Sequence, residues 1–275
     1  MRARTVSFAV VAAAVAVVVV TLTAVASPAQ AQLGRQPFRW VDRPIQAPAA
    51  TFRFDAYLLF DSSYFGAPYR RHNRLFFFGG VGAGITDDIE IGMTPQEWPS
   101  WWHGWWFYRA GGLLPLELAP EFDYLNPSFH FQYRFLHEQA VELAFRVEMV
   151  LPVQAGSDFT LELGVPLLVR LGDVGRLDLG FYLGLVFSDP TAVYSRIPIG
   201  LSFNITPEFF LGVNSGVNFD FDGNAWVPFG TLFGFTFGPS TAPIGDAKFG
   251  FQLPDVEVGF DFWQIFGGAT FYVYL

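Results

Sequence analysis

The chain contains no cysteine. That excludes disulfide scaffolds, thiolate metal centres, cysteine nucleophiles and the lipidated cysteine of a lipoprotein. Charge is scarce: 15% of the 275 residues are Asp, Glu, Lys or Arg, and acids outnumber bases 25 to 16, so no basic patch is offered to nucleic acid. The four histidines, His72, His103, His130 and His137, fall at no metal-ligand spacing, and no motif calls for a cofactor. Beyond the first residues no apolar run reaches the length of a membrane-spanning helix, because glycine or a polar residue recurs within a few positions. Yet 52% of the chain is hydrophobic, with 33 phenylalanines and 28 glycines, which excludes a disordered protein. An apolar chain without spanning helices needs another architecture.

The N-terminus reads as a secretory signal. Arg2 and Arg4 precede an Ala/Val run from Phe8 to Leu22, Ser27-Pro28 breaks it, and Ala29-Gln30-Ala31 is a small-x-small cleavage site. An uncleaved anchor is the rival reading, since Val6 to Val25 is about long enough to span a bilayer. Cleavage after Ala31 removes two arginines and no acid, so the mature charge becomes 14 − 25 = −11.

The rest of the chain alternates with a period of two. Odd positions from Val141 to Leu151 are Val141, Leu143, Phe145, Val147, Met149 and Leu151, against Glu142, Ala144, Arg146, Glu148 and Val150. The pattern returns from Phe159 to Leu171 and from Leu177 to Phe187. Such alternation is a β-strand with one apolar face. These segments exceed the usual ~5–6 residues of soluble strands and match the roughly 9–11 needed to cross a bilayer at a tilt. An apolar stripe for lipid and a polar stripe for the lumen describe a transmembrane antiparallel up-and-down β-barrel.

Twelve strands are expected, at 50–60, 74–85, 89–98, 122–136, 140–153, 159–171, 176–187, 196–205, 209–221, 226–237, 247–263 (irregular, with Pro254) and 268–275; ten or fourteen are the alternatives. Short turns at 86–88, 137–139, 172–175 and 206–208 alternate with longer connections at 61–73, 99–121, 154–158, 188–195 and 222–225, as periplasmic turns alternate with external loops. Residues 32–49, with Pro37, Pro44 and Pro48, read as an extended periplasmic N-terminal segment or a short plug, leaving 50–275 as the barrel. The end, Phe271-Tyr272-Val273-Tyr274-Leu275, is a closing strand of the kind the barrel assembly machinery reads.

Two hairpins share a form: Ile85-Thr86-Asp87-Asp88-Ile89-Glu90-Ile91-Gly92 and Ile205-Thr206-Pro207-Glu208-Phe209-Phe210-Leu211-Gly212. They resemble the recurring periplasmic hairpins of Gram-negative outer-membrane porin-like proteins, most of all the transporters grouped with the phenol-degradation MetA-pathway barrels. The resemblance implies an outer-membrane barrel that passes solutes without chemistry.

Inward parity collects charge of both signs. Arg53, Arg134, Arg146, Arg170 and Arg196 are expected to face Asp55, Glu90, Glu142, Glu148, Glu162, Asp178 and Glu257 in the lumen, with His130 and Gln132 beside them. A strongly selective pore would show rings of one sign. Ser128 and His130 share a face, which raises a serine-hydrolase reading, but an i, i+2 pair on a strand stands about 7 Å apart. Asp220, Asp222, Asn218 and Asn224 form an acidic loop that lacks the bidentate acid of a calcium site. Gly79-Gly80-Val81-Gly82-Ala83-Gly84 lies within a strand and reads as a bend or a cleared stretch of lumen, not a phosphate loop. Gly164, Gly180, Gly184 and Gly230 likewise suggest open space.

Trp98, Trp101, Trp102, Trp105 and Trp106 recur at helical spacing. They read as interfacial anchors, with an aromatic ligand platform and a lid or plug as alternatives. The functional expectation is a passive channel or transporter for a small, even apolar, solute. The alternatives are a structural or interaction barrel and, third, a lipid-modifying enzyme. Outer-membrane lipid is the expected surrounding partner.

Overall fold

The computed structural model describes Pro37 and residues 39–65, 70–95, 111–120, 122–221, 223–238, 244–257 and 259–274. The strands are β1 (Thr51–Phe65), β2 (Arg70–Thr86), β3 (Ile89–Met93), β4 (Leu114–Ala119), β5 (Asp123–Tyr124), β6 (Ser128–His137), β7 (Val141–Val150) and β8 (Thr160–Leu171). They continue with β9 (Gly175–Val186), β10 (Ala192–Asn204), β11 (Phe209–Asp220), β12 (Ala225–Trp226), β13 (Phe229–Phe237), β14 (Ile244–Leu253) and β15 (Phe262–Tyr274). Neighbours pair antiparallel, and β1 pairs with both β15 and β2, so the sheet closes on itself. Three wall positions are each shared by two segments in line: β3 with β4 along β2, β5 with β6, and β12 with β13 along β11. The wall is therefore a twelve-stranded barrel.

Alternation decides which way each side chain points. Along β13, Phe229, Thr231, Phe233 and Phe235 are exposed while Gly230, Leu232, Gly234 and Thr236 are buried. The outward set of the other strands, including Phe145, Phe181, Phe249 and Ile265, is apolar. Aromatic pairs gather toward the two ends of this belt: Phe60 with Trp263 and Phe159 with Phe187 at one end, Phe237 with Phe271 at the other. An apolar band bounded by aromatic girdles is a lipid-facing surface.

Several wall glycines are covered rather than open. A Cβ on Gly184 would lie 1.9 Å from the Tyr194 ring, and one on Gly250 would lie 2.2 Å from Phe266. At Gly164, Gly180, Gly184 and Gly250 a ring fills the space the glycine leaves, so these stretches are not open lumen.

The sequence boundaries shift most in three places, and β10 also begins at Ala192, inside the expected 188–195 connection. The third strand, expected at 89–98, stops at Met93, and the same wall position is taken up again at Leu114: Val81 pairs with Met93 and Gly79 with Leu114, while residues 96–110 lie outside the described residues. The 61–73 connection is mostly strand; Asp61, Ser62 and Ser63 at its start are buried, and Ser62 donates to Asn73. The irregular 247–263 strand is β14 followed by a turn, and β15 begins at Phe262 rather than 268. Pro254 ends β14, because proline lacks the N–H a ladder needs.

Candidate functional site

Among the described residues, polar side chains of the wall's long strands converge in the interior, and its lower half holds the chain's own N-terminal segment. Residues 39–50 run across the lumen at the end of the short turns, which is the periplasmic end in this class. Trp40, Val41, Arg43, Gln46 and Ala47 are all buried. Trp40 stacks on Phe210 of β11 at 4.9 Å, with the Lys248 ammonium 4.2 Å from its ring centre. Arg43 pairs with Asp246, which also accepts from Thr236.

An extended backbone taken out of water must have its N–H groups satisfied. The wall supplies the acceptors. The amide of Val41 donates to Asn204, that of Ile45 to Glu142 and that of Ala47 to Glu90, while Ala49 donates to Asp87 and Ala50 to the Gly84 carbonyl. In return Gln132 donates to the Ile45 carbonyl at 3.0 Å, and Arg176 to that of Arg43 at 3.0 Å. Glycine makes the approach close enough: a Cβ on Gly84 would sit 1.9 Å from the Pro48 carbonyl oxygen, and one on Gly80 would sit 2.4 Å from Pro95. The glycine run of β2 thus clears room for backbone, not for solute.

Above the segment the wall side chains bind each other. Arg196 forks onto Glu162, with Nε to Oε2 at 2.9 Å, lies 4.1 Å over the Tyr182 ring, and shares Glu162 with the Tyr194 hydroxyl at 3.0 Å. Across the barrel, Arg74 and Gln264 both donate to Asp61. Between segment and network lies a cavity of about 90 Å³.

All thirteen lumen candidates lie on the inward face, but their partners differ from a simple cross-strand ladder. Arg53 pairs with Asp55 at 2.9 Å, Arg146 with Glu148 at 3.1 Å and Asp178 with Arg176 at 2.7 Å, each two residues away on its own strand. Arg134 and Arg170 both reach Glu142, which also holds the N-terminal segment. Glu257 is not in the lumen; it sits exposed in the turn after Pro254. Ser128 and His130 are not bonded to each other. Ser128 accepts from the Gly112 amide at 3.2 Å, and His130 bridges Thr94 at 3.3 Å and Glu90 at 3.2 Å. Asp220 is taken up by Asn224, and Asp222 lies outside the described residues.

Arg43, Arg176, Asp246 and Lys248 were missed by the sequence reading, and adding them makes the interior nearly charge-balanced rather than acidic. Parity alone would have found Arg176, two before Asp178, and the Asp246, Lys248, Gln252 set. Trp98, Trp101, Trp102, Trp105 and Trp106 lie outside the described residues. Pro95 and Gly112, on either side of them, lie close together: a Cβ on Gly112 would come within 2.8 Å of Pro95.

No family model matches the chain, and no curated protein does. Solved structures do. The NanC porin aligns at 5% identity over 81% of this chain and 99% of its own, with a TM-score of 0.51. An outer-membrane channel from Pseudomonas putida F1 aligns at 12% identity over 84% and 97%, with a TM-score of 0.49. The translocator domain of autotransporter NalP from Neisseria meningitidis aligns at 11% identity over 99% and 100%, with a TM-score of 0.43. At these identities a likeness speaks to fold alone, and of the three the NanC match carries that point. Together with the apolar belt, it supports the fold reached above, a closed twelve-stranded membrane β-barrel.

Proposed function

We propose that the protein is a passive outer-membrane channel for small polar solutes, narrowed at its periplasmic half by residues 39–50. The observation that carries this reading is the cavity of about 90 Å³ between that segment and the upper network, in a lumen lined by charged and hydrogen-bonding side chains. Such a lining suits a hydrated or charged solute better than an apolar one, because an apolar solute would have to displace water from arginines and carboxylates without replacing their hydrogen bonds. Balanced charge favours selection by size over selection by sign. A second reading, a structural barrel without transport, draws on the same plugged interior.

Planar-bilayer recordings of the full mature chain distinguish them. A channel gives small, discrete conductance steps and admits only the smallest solutes in liposome swelling. A silent protein that is correctly folded, as judged by its heat-dependent gel shift, would leave the structural reading standing.

A further inference from the structure

A second, smaller cavity of about 40 Å³ lies beside the N-terminal segment, nearer the periplasmic end than the first. Trp40, Arg43, Pro44, Gln46 and Ala47 of the segment line it, with Tyr272 of β15. Tyr272 pairs with Arg53, one inward position above the Thr51–Tyr274 pair at the end of that wall. The two cavities share four lining residues, Ile45, Arg53, Glu90 and Arg176, which therefore form the partition between them. Arg53 on β1 and Glu90 on β3 come from one side of the barrel, and Arg176 on β9 comes from half-way round it. Ile45 belongs to the segment, Glu90 accepts from the Ala47 amide, and Arg176 donates to the Arg43 carbonyl at 3.0 Å. Arg53 ion-pairs with the wall, to Asp55 at 2.9 Å and to Glu90 at 3.8 Å. With Arg176 on Asp178 at 2.7 Å, the charges at the partition are compensated.

From this geometry we infer that the route through the lumen runs beside the N-terminal segment while the segment stays in place, and that the Arg53 side chain is its gate. When Arg53 swings out of the partition, the two cavities become one path. A long unbranched stem lets its guanidinium change rotamer while the wall stays fixed. Size names what passes: the lower cavity's 40 Å³ is little more than the roughly 30 Å³ that one water takes in the liquid, which suits water and monovalent ions. Compensated charge at the partition admits ions of both signs, whereas loss of Arg53 would leave carboxylate in excess and favour cations. The inference rests on the channel reading and names its bottleneck.

The test records the full mature chain in planar bilayers under a potassium chloride gradient, with hydrogen exchange measured on the same protein in lipid. Arg53→Ala should raise the single-channel conductance severalfold and move the reversal potential toward that of potassium, with residues 40–49 as protected as in the parent. Arg53→Lys keeps the charge and should keep the parent's reversal potential. Asp173→Asn, in an exposed turn, should change neither. An Arg53→Ala variant with the conductance and reversal potential of a conducting parent overturns the route and leaves the channel reading intact. A conductance gain accompanied by exchange across 40–49 also overturns the route, since the segment has then left the lumen. A silent parent with a conducting Arg53→Ala variant keeps the route and makes the parent a closed barrel; if both fold and both are silent, route and channel fall together. In the variant Asp55 retains the Thr270 hydroxyl at 2.7 Å. Should Arg53→Ala still fail to fold, the double variant Arg53→Ala, Asp55→Asn, which removes base and acid together, carries the conductance measurement.

Discussion

The two halves of the lumen use the same residue types at the same spacing to different ends. In the periplasmic half, Glu90, Glu142 and Asp246 hold another piece of the chain: two accept backbone amides of residues 45 and 47, and the third holds Arg43. In the upper half, Glu162 and Asp61 hold arginines of the wall itself. The lower half satisfies a buried backbone as well as neutralising buried charge, whereas the upper half does only the second. What separates them is only whether an extended, proline-rich segment lies within reach. An inward carboxylate on a barrel strand is thus as much a sign of a resident segment as of a solute path.

The largest expected effect tests that division at Asp246. Asp246→Ala leaves Arg43 buried without its carboxylate, which should cost about 3–5 kcal/mol. Hydrogen exchange should then rise across residues 40–49. Glu162→Ala should destabilise the upper wall yet leave 40–49 protected; equal deprotection by both variants would erase the distinction between the halves.

Next in size is a change on the face both halves share. Phe145→Arg puts a charge into lipid near mid-strand and should cost about 2–4 kcal/mol in folding into bilayers. A negligible cost would mean that this face does not meet hydrocarbon.

Two glycines sharpen the comparison further. Gly84→Ala drives a Cβ into the Pro48 carbonyl, and Gly184→Ala drives one into the Tyr194 ring. Each should cost about 1–3 kcal/mol by overpacking. Gly84→Ala should loosen residues 40–49, and Gly184→Ala should leave them in place, as read by limited proteolysis of the N-terminus. The smallest effect is expected for Thr236→Val, which deletes one hydroxyl donor to Asp246 and should cost about 0.5–1.5 kcal/mol without freeing the segment.

The barrel was legible because alternation survives along the wall: Val141–Val150 and Thr160–Leu171 read directly as strands with one apolar face. The same alternation sets apart the polar parity that carries Glu142, Arg146 and Glu148. Three things were hidden. The break at Met93 was hidden because the polar residues after it, Thr94, Gln96 and Glu97, suit a lumen face as well as a loop, and only Pro95 marks where the strand leaves the wall. Asp61 and Ser62 looked like loop because polarity is the mark of a loop and also of a lumen face. The partners of Glu90 and Glu142 were hidden because they are backbone amides more than forty residues away, and an amide carries no signature in sequence. The prolines at 37, 44 and 48 fitted a plug as well as a periplasmic lead; only the ring of acceptors around them separates the two.

The central claim is that residues 39–50 are a fixed part of the lumen. A chain without cysteine makes a direct test available, since any introduced thiol is unique. Ala47→Cys, at a buried position facing Glu90, and Asp173→Cys, in an exposed turn at the same end of the barrel, would be treated with a water-soluble maleimide in folded, lipid-reconstituted protein. The structure requires Asp173→Cys to label rapidly and Ala47→Cys to stay unlabelled until the barrel is unfolded. Labelling of Ala47→Cys at the rate of Asp173→Cys in the folded barrel would contradict it.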